Sequence, residues 1–390
     1  MRTIRITAML TSLGLLAAAC GTTVPSGALT KLGDGEGALN LIIWDGYAER
    51  GDIVAEYDWV TPFEDETGCM VATTLMGSSA EGVQLLRSGN YDGGSFSGNA
   101  TTPLMAAGDV APVNVELLPN YANVFAGLKL KSHNSLDGVP YGAPHGRGPN
   151  LLVWNTEVIT TAPTSWDVIW EDAGDYAGKI SIYGISDFIA DAAIHLMTKN
   201  PDLGITNPYQ LNDAQFAAAI ALLEEQRDHG VIYWNGVAAD QITSFAAGDV
   251  VVGTTWQYQV NTLQAADPPV PVEATVPDEG STGWSDTWMI ASDAAHPNCM
   301  YMWMNHMMSA EANAQATVWF GEAPTSTAAC EIADTLSPGH CALTHATDEP
   351  YWDKIYYWAY PDATCGDDND ATACKDQDDW LAAWATLTGS

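Results

Sequence analysis

Apolar positions along the chain fall into short runs rich in β-branched residues, separated by stretches with helical spacing. ALNLIIW (38–44) and CMVATTL (69–75) predict strands, and VVVGTTW (250–256) predicts a strand buried on both faces. Between the first two, Thr61-Pro62-Phe63-Glu64 reads as a capping box with Pro at the first helical position, and Gly68 stops that helix. Ser79 to Ser88 predicts a second short helix closed by Gly89. Phe216, Ala219, Ile220 and Leu223 recur at helical spacing within 212–229, a segment that opens on an Asn suited to an N-cap and ends at Gly230. Residues 298–308 are apolar on most sides and predict a core helix. Strands alternating with helices predict an α/β architecture. No repeat or long linker separates two halves, so two interwoven lobes are expected, with Pro268 to Pro277 as a Pro-rich crossing.

Composition narrows the function. The chain has 390 residues, 49 acidic against 13 basic, and its 15 Trp, 15 Tyr and 7 Phe supply enough apolar surface to exclude a disordered acidic tail. A formal charge of −36 without a basic cluster argues against nucleic acid and against anionic membrane surfaces. It suits a cationic ligand or a high-salt environment.

The N-terminus reads as an export signal: Arg2 and Arg5, an apolar stretch from Ala8 to Leu16, then Ala17-Ala18-Ala19-Cys20. LLAAAC resembles a bacterial lipoprotein signal, which implies cleavage after residue 19 and lipidation of Cys20; ordinary secretion is the alternative. Residues 20–38 are rich in Gly, Thr and Ser and suit a flexible tether. Losing residues 1–19 removes two arginines and no acids, which takes the formal charge from −36 to −38. Six cysteines then remain, an even set for an oxidising compartment. Cys330 with Cys341 and Cys365 with Cys374 each enclose a short polar loop, which leaves Cys69 with Cys299.

No GxSxG, HExxH, P-loop or glycine-rich dinucleotide turn is present, so an enzyme is not expected, and neither is a cofactor. No Cys or His spacing suits zinc, and no metal is expected: His296, Cys299 and His306 read as part of a Met-rich core helix, and GDDND (366–370) as a solvated turn. The tryptophans stand out. Trp44, Trp256 and Trp284 each lie at or just beyond the C-terminal end of a strand-like run, where α/β sheets place ligands.

Several segments, taken in order, carry a resemblance: LIIWDGYAERG with FEDETGCMV, VPYGAPHGRGPNLLVWN, TSWDVIW with GDYAGKISI, FAAGDVVVGTTWQYQ, and DEGSTGWSDTWMIASDAAHPN leading into MSAEANAQ. From about Leu39 to the C-terminus the chain resembles the spermidine/putrescine-binding periplasmic proteins, solute receptors of polyamine ABC importers. The resemblance implies a type II periplasmic binding protein: two α/β lobes, 39–146 plus 282–327 and 147–281 plus 328–390, the latter including an Asp-rich, Cys-bracketed insert at 361–379. By position it implies a cleft lined by Trp44, Tyr47, Trp256 and Trp284, with Asp286 and Asp187 as carboxylates on opposite lobes. Ammonium groups gain from such carboxylates in a cleft of low dielectric, and methylene chains lie well against aromatic faces.

The departures from the family pattern matter. Gly184 stands where relatives carry a further carboxylate, Asn99 replaces an aromatic, and Gln259 stands where some diamine receptors carry Asp. Glu322 is positioned to restore one negative charge, and Asp45 lies between the two first-strand aromatics. Arg147, where the chain should cross between lobes, would suit a carboxylate or phosphonate, which gives an alternative: an amino-acid-like or anionic solute held by Arg147. A non-transport surface lipoprotein is the alternative from another class. The expected setting is periplasmic or cell-surface, lipid-anchored and monomeric, with an inner-membrane ABC permease and its ATPase as partners. Most of the acids read as a salt-adapted surface.

Overall fold

The computed structural model describes residues 24–234, 238–364 and 374–389. Cys20, the leader and Cys365 lie outside the described residues. No helix among the described residues is long and apolar enough to cross a membrane.

Two five-stranded sheets share one pattern. In the first, Met70–Leu75, Ala38–Ile43 and Gly93–Phe96 run parallel, and Thr287–Ile290 follows antiparallel, with Ala143–Pro144 beyond it. In the second, Ile232–Trp234, Ile180–Tyr183 and Val252–Thr255 run parallel, then Leu151–Asn155 antiparallel, then Val272–Thr275. Strand alternation sorts the core residues onto opposite faces. Leu39, Leu41 and Ile43 pack with Phe63, Met300, Trp303 and Met304, whereas Ile42 packs on the other side with Leu86, Phe96 and Leu104. In the second sheet Leu152 and Trp154 join one core and Val153 another, with Phe245, Val260 and Leu263.

A third sheet links the two: Ser281–Trp284 pairs with Ile355–Tyr357 on one side and Gly148–Pro149 on the other. The chain therefore crosses between sheets at 144–151, as the sequence predicts, and again at 275–287. Pro268 to Pro277 is not the crossing. Its residues Val272–Thr275 form the edge strand of the second sheet, where a preceding proline costs no ladder bond.

The helices follow their sequence signals closely. Asp213–Asp228 starts from an Asn212–Gln215 capping box, and Pro297–Met307 is the buried Met-rich helix. The capping box expected at Thr61–Glu64 does not form. The helix Val60–Thr67 starts two residues earlier, Asp58 accepts from the Thr61 backbone N–H, and Glu64 turns away to hold Arg50 through two bonds of 2.7 and 2.8 Å. The same carboxylate also accepts from the Val71 backbone N–H at 2.7 Å, so Glu64 ties Arg50 to the second strand instead of capping its own helix.

Residues 327–352 pack as a small cluster around Ala323, Cys330, Ala346, Trp352 and Ile355, and the chain joins the second core only at Trp358, Trp380, Trp384 and Leu387. We propose a division that follows these cores: 39–146 with 285–327, and 147–284 with 358–364 and 374–389, capped at the crossing by 328–357.

Cys69–Cys299 and Cys330–Cys341 are disulfides, as expected from the sequence, and Cys374 is also disulfide-bonded. Cys69–Cys299 closes a loop of 230 residues and pins the strand beginning at Met70 to the helix Pro297–Met307. A Cys69→Ala/Cys299→Ala variant should lose about 2–5 kcal/mol in urea unfolding. An unchanged midpoint would show that the staple adds nothing to the packing beneath it.

Candidate ligand-binding site

Both sheets turn the same kind of edge toward the crossing strands. Trp44 and Tyr47 follow the first strand, Ser97 follows Gly93–Phe96, and Asp286 immediately precedes the antiparallel strand Thr287–Ile290. Opposite them, Gly184 to Asp187 follow Ile180–Tyr183, Trp234 ends its strand, and Trp256 follows Val252–Thr255. The carboxyl ends of parallel strands are where open α/β sheets leave loops and helix starts free for a ligand.

On the first sheet, Asp286 is buried and accepts from Tyr47 Oη at 2.8 Å and Ser97 Oγ at 2.6 Å. Tyr47 stacks on His145 with ring centroids 4.1 Å apart and meets Phe320 edge-on. Trp288 Nε1, a donor only, bonds His145 Nδ1 at 3.0 Å, so the ring hydrogen sits on Nε2, 3.1 Å from Glu322 Oε1. Burial raises the Asp286 and Glu322 carboxyls above the ordinary range. The bonds from Ser97 and Tyr47 pull Asp286 back in part, and His145 does the same for Glu322.

On the second sheet, Asp187 stands at the N-terminus of the helix Phe188–Lys199. Its Oδ1 accepts from Asn99 Nδ2 at 3.2 Å, a bond from one side of the crossing to the other, and Ser79 Oγ holds Asn99 in turn at 2.7 Å. Burial pushes Asp187 up to about 6, against the bond from Asn99. One turn along the helix, Asp191 accepts from Tyr183 Oη and, at 2.8 Å, from Thr282 Oγ1 on the crossing strand. Burial pushes it up to about 7, against those bonds, and the neighbouring Asp187 adds to the rise. Asn150 joins this network to Trp256, accepting from its Nε1 at 2.8 Å and donating to Thr282 Oγ1 at 2.7 Å.

The segment Ser97–Asn99 thus holds Asp286 by one end and Asp187 by the other. Its middle residue has to be small: a Cβ on Gly98 would stand 1.8 Å from the Trp358 carbonyl oxygen. Trp358 in turn stacks edge-on with Trp256 and Tyr183, while Trp284 meets Phe320 at 5.8 Å. The indole N–H groups of Trp44, Trp234, Trp284 and Trp358 are buried without a hydrogen-bond partner.

The other expected site residues are placed differently. Asp45 is exposed. Gln259 is fully buried and its amide is committed at both ends, accepting from Trp256 N at 3.1 Å and donating to Gln241 at 2.9 Å. It caps the helix Gln257–Gln264 instead of facing a solute. Arg147 points into the 345–352 cap, bonded to Glu349 at 2.9 Å and lying 4.1 Å over the Trp352 ring. A guanidinium paired in this way is not free to clamp an anion, so the alternative of an anionic solute loses the group it rested on. His296 pairs with Asp92, and Cys299 lies in a disulfide, so neither forms a soft-metal site with His306.

Sequence reasoning missed Asp191, His145, Ser97, Asn150 and Trp358. A signal existed for Asp191 alone: it interrupts the apolar run FIADAAI four residues after Asp187, on the same helix face.

Residues 58–338 match the family of bacterial extracellular solute-binding proteins. The putrescine/agmatine-binding protein of Pseudomonas aeruginosa is 24% identical over 283 residues, 68% of this chain and 75% of that protein. The putrescine-binding periplasmic protein PotF of Escherichia coli is 25% identical over 263 residues, 64% of this chain and 70% of that protein. Among solved structures, the spermidine/putrescine ABC transporter substrate-binding protein PotD of Streptococcus pneumoniae superposes with a TM-score of 0.69 at 16% identity, covering 90% of this chain and 97% of that one. Such proteins carry solutes and are not enzymes, and with the model match spanning well over half its length, this chain belongs to the bacterial extracellular solute-binding protein family.

Proposed function

We propose that the protein is the receptor for a small polyamine such as putrescine, held between Asp286 and Glu322 on one side and Asp187 and Asp191 on the other, and handed to an ABC permease. One observation carries this reading: four buried carboxylates face the crossing, and none is bonded to a Lys or Arg among the described residues. Leaving an ionised carboxylate buried and unpaired costs several kcal/mol, and all four are pushed up accordingly. A diamine supplies an ammonium for each side. Its methylene chain would run along Trp44, Trp256, Trp284 and Trp358, each aromatic face adding roughly 0.5–2 kcal/mol of cation–π attraction where an ammonium reaches it. The putrescine-binding relatives point to the same class of ligand. Lipidation at Cys20, an anchored periplasmic or surface location and action as a monomer complete the proposal.

Asp286→Asn and Asp187→Asn should each weaken putrescine binding at least tenfold, about 1.4 kcal/mol, in titration calorimetry. Unchanged affinity in both variants would remove the site assignment.

Affinity should also depend on pH with a definite sign. Asp187 and Asp191 hold protons up to about 6 and about 7, and a bound ammonium favours their ionised forms. Putrescine binding should therefore weaken as pH falls through that window and should release protons within it. Calorimetry in buffers of different ionisation enthalpy reads the released protons directly, and an uptake of protons would contradict the scheme.

A further inference from the structure

Away from the crossing, a second set of titratable side chains converges. Asp167, His195 and Glu279 each bring a potential ligand atom within 4.8 Å of the other two. They come from three segments: the short turn Trp166–Ile169, the helix Phe188–Lys199, and the turn leading into Ser281–Trp284. Asp167 Oδ1, His195 Nδ1 and Glu279 Oε2 are all buried atoms without a hydrogen-bond partner. His195 as a whole is 0% exposed. A buried imidazole nitrogen left unpaired beside two carboxylates is a costly arrangement that a cation relieves.

The remaining polar atoms of the three residues are engaged in ways that fix the orientation of their partners. His195 Nε2 lies 2.7 Å from Glu171 Oε1, and a carboxylate on one ring nitrogen is the usual support for a metal on the other. Glu279 Oε1 accepts from Ser165 Oγ and from the Trp166 N–H at 3.2 Å. Asp167 Oδ2 takes Lys199 Nζ at 2.6 Å, so the lysine occupies only one oxygen of that carboxylate. Wide separation along the chain hides the trio from any short metal motif.

We propose that Asp167, His195 and Glu279 bind one divalent transition-metal ion, Zn²⁺ or Mn²⁺. Imidazole suits Zn²⁺ and the two carboxylates suit Zn²⁺ and Mn²⁺ alike, whereas Ca²⁺ and Mg²⁺ take oxygen ligands alone. The ion ties the helix that carries Asp187 and Asp191 to the start of the strand that carries Thr282 and Trp284. It thereby stiffens one half of the interlobe face without touching it.

The test uses the full mature chain, stripped with chelator and titrated with ZnCl₂, MnCl₂, CaCl₂ and MgCl₂ in excess salt, read by calorimetry and thermal melting. The expected result is one tight equivalent of Zn²⁺ or Mn²⁺ with a saturating rise in Tm, no comparable response to Ca²⁺ or Mg²⁺, and loss of that equivalent in both H195A and E279Q. E279Q preserves side-chain shape, so it remains informative if H195A folds poorly, and H345A, which alters an exposed histidine elsewhere, should keep the site. The proposal is overturned if the stripped wild type binds no such equivalent, if H195A and E279Q both retain it, or if CaCl₂ acts equally well.

Discussion

Taking a carboxylate out of water without a cation beside it is among the most expensive things a folded chain does, and this one does it four times at the face where its sheets meet. The surrounding architecture moderates that cost without cancelling it. Tyr47, Ser97, Asn99, Tyr183 and Thr282 each give a neutral hydrogen bond to one of the acids. The two tyrosines are themselves pushed well above the usual phenol range, by burial first and then by the neighbouring carboxylates, so they remain donors. Neutral donors soften the desolvation penalty and keep the negative charge available, whereas an arginine would have neutralised it and occupied the space. In the proposed reading, the site is built to need a cation.

That need is shared between the lobes through few connections. Ser97 and Asn99, two residues apart on one chain segment, bond an acid from each side, while Thr282 on the crossing strand bonds a third. A cation that compensates Asp286 and Asp187 together gains only when both lie near it, so its differential affinity falls on the arrangement in which the lobes approach. The Asn99–Asp187 bond substitutes weakly for that cation, since a neutral amide offers less than an ammonium. Hinge closure in two-lobed receptors rests on this kind of difference in contact between two states.

How much of this was legible in the sequence depended on whether the determining contact was local. Strand alternation at Leu39, Leu41 and Ile43 and the Asn212 cap act within a few residues, and both elements stand where the pattern put them. Trp44, Trp256 and Trp284 were visible because strand ends are where loops face a ligand, whereas Tyr47, Asp187 and Asp286 came only from the family resemblance. Asp191 left a local trace, an acid inside the apolar run FIADAAI, but its bond from Thr282 on the crossing strand, 91 residues away, could not be read from the sequence. Gln259 was misread for the opposite reason: its role is a local helix cap, with Trp256 in a position normally held by Ser or Thr. Arg147 was ambiguous until the cap with Glu349 and Trp352 was in place, since those residues lie some 200 positions away.

The strong acidity of the chain as a whole contributes less to selectivity than its size suggests. A formal charge of −36 raises the local concentration of every cation and speeds encounter, but it does so without regard to chemistry. At physiological ionic strength the screening length is about 8 Å, so most surface acids contribute little within a closed cleft. In the proposed function, discrimination has to come from the four buried carboxylates and the aromatic faces beside them. A small metal ion entering that face would give up a tightly held hydration shell for a few carboxylate oxygens set among indoles. A diamine gives up much less, because its methylenes gain from leaving water while its ammonium ends meet the acids. For a diamine held as proposed, the hydrophobic wall is therefore as much a part of the recognition of charge as the charges are.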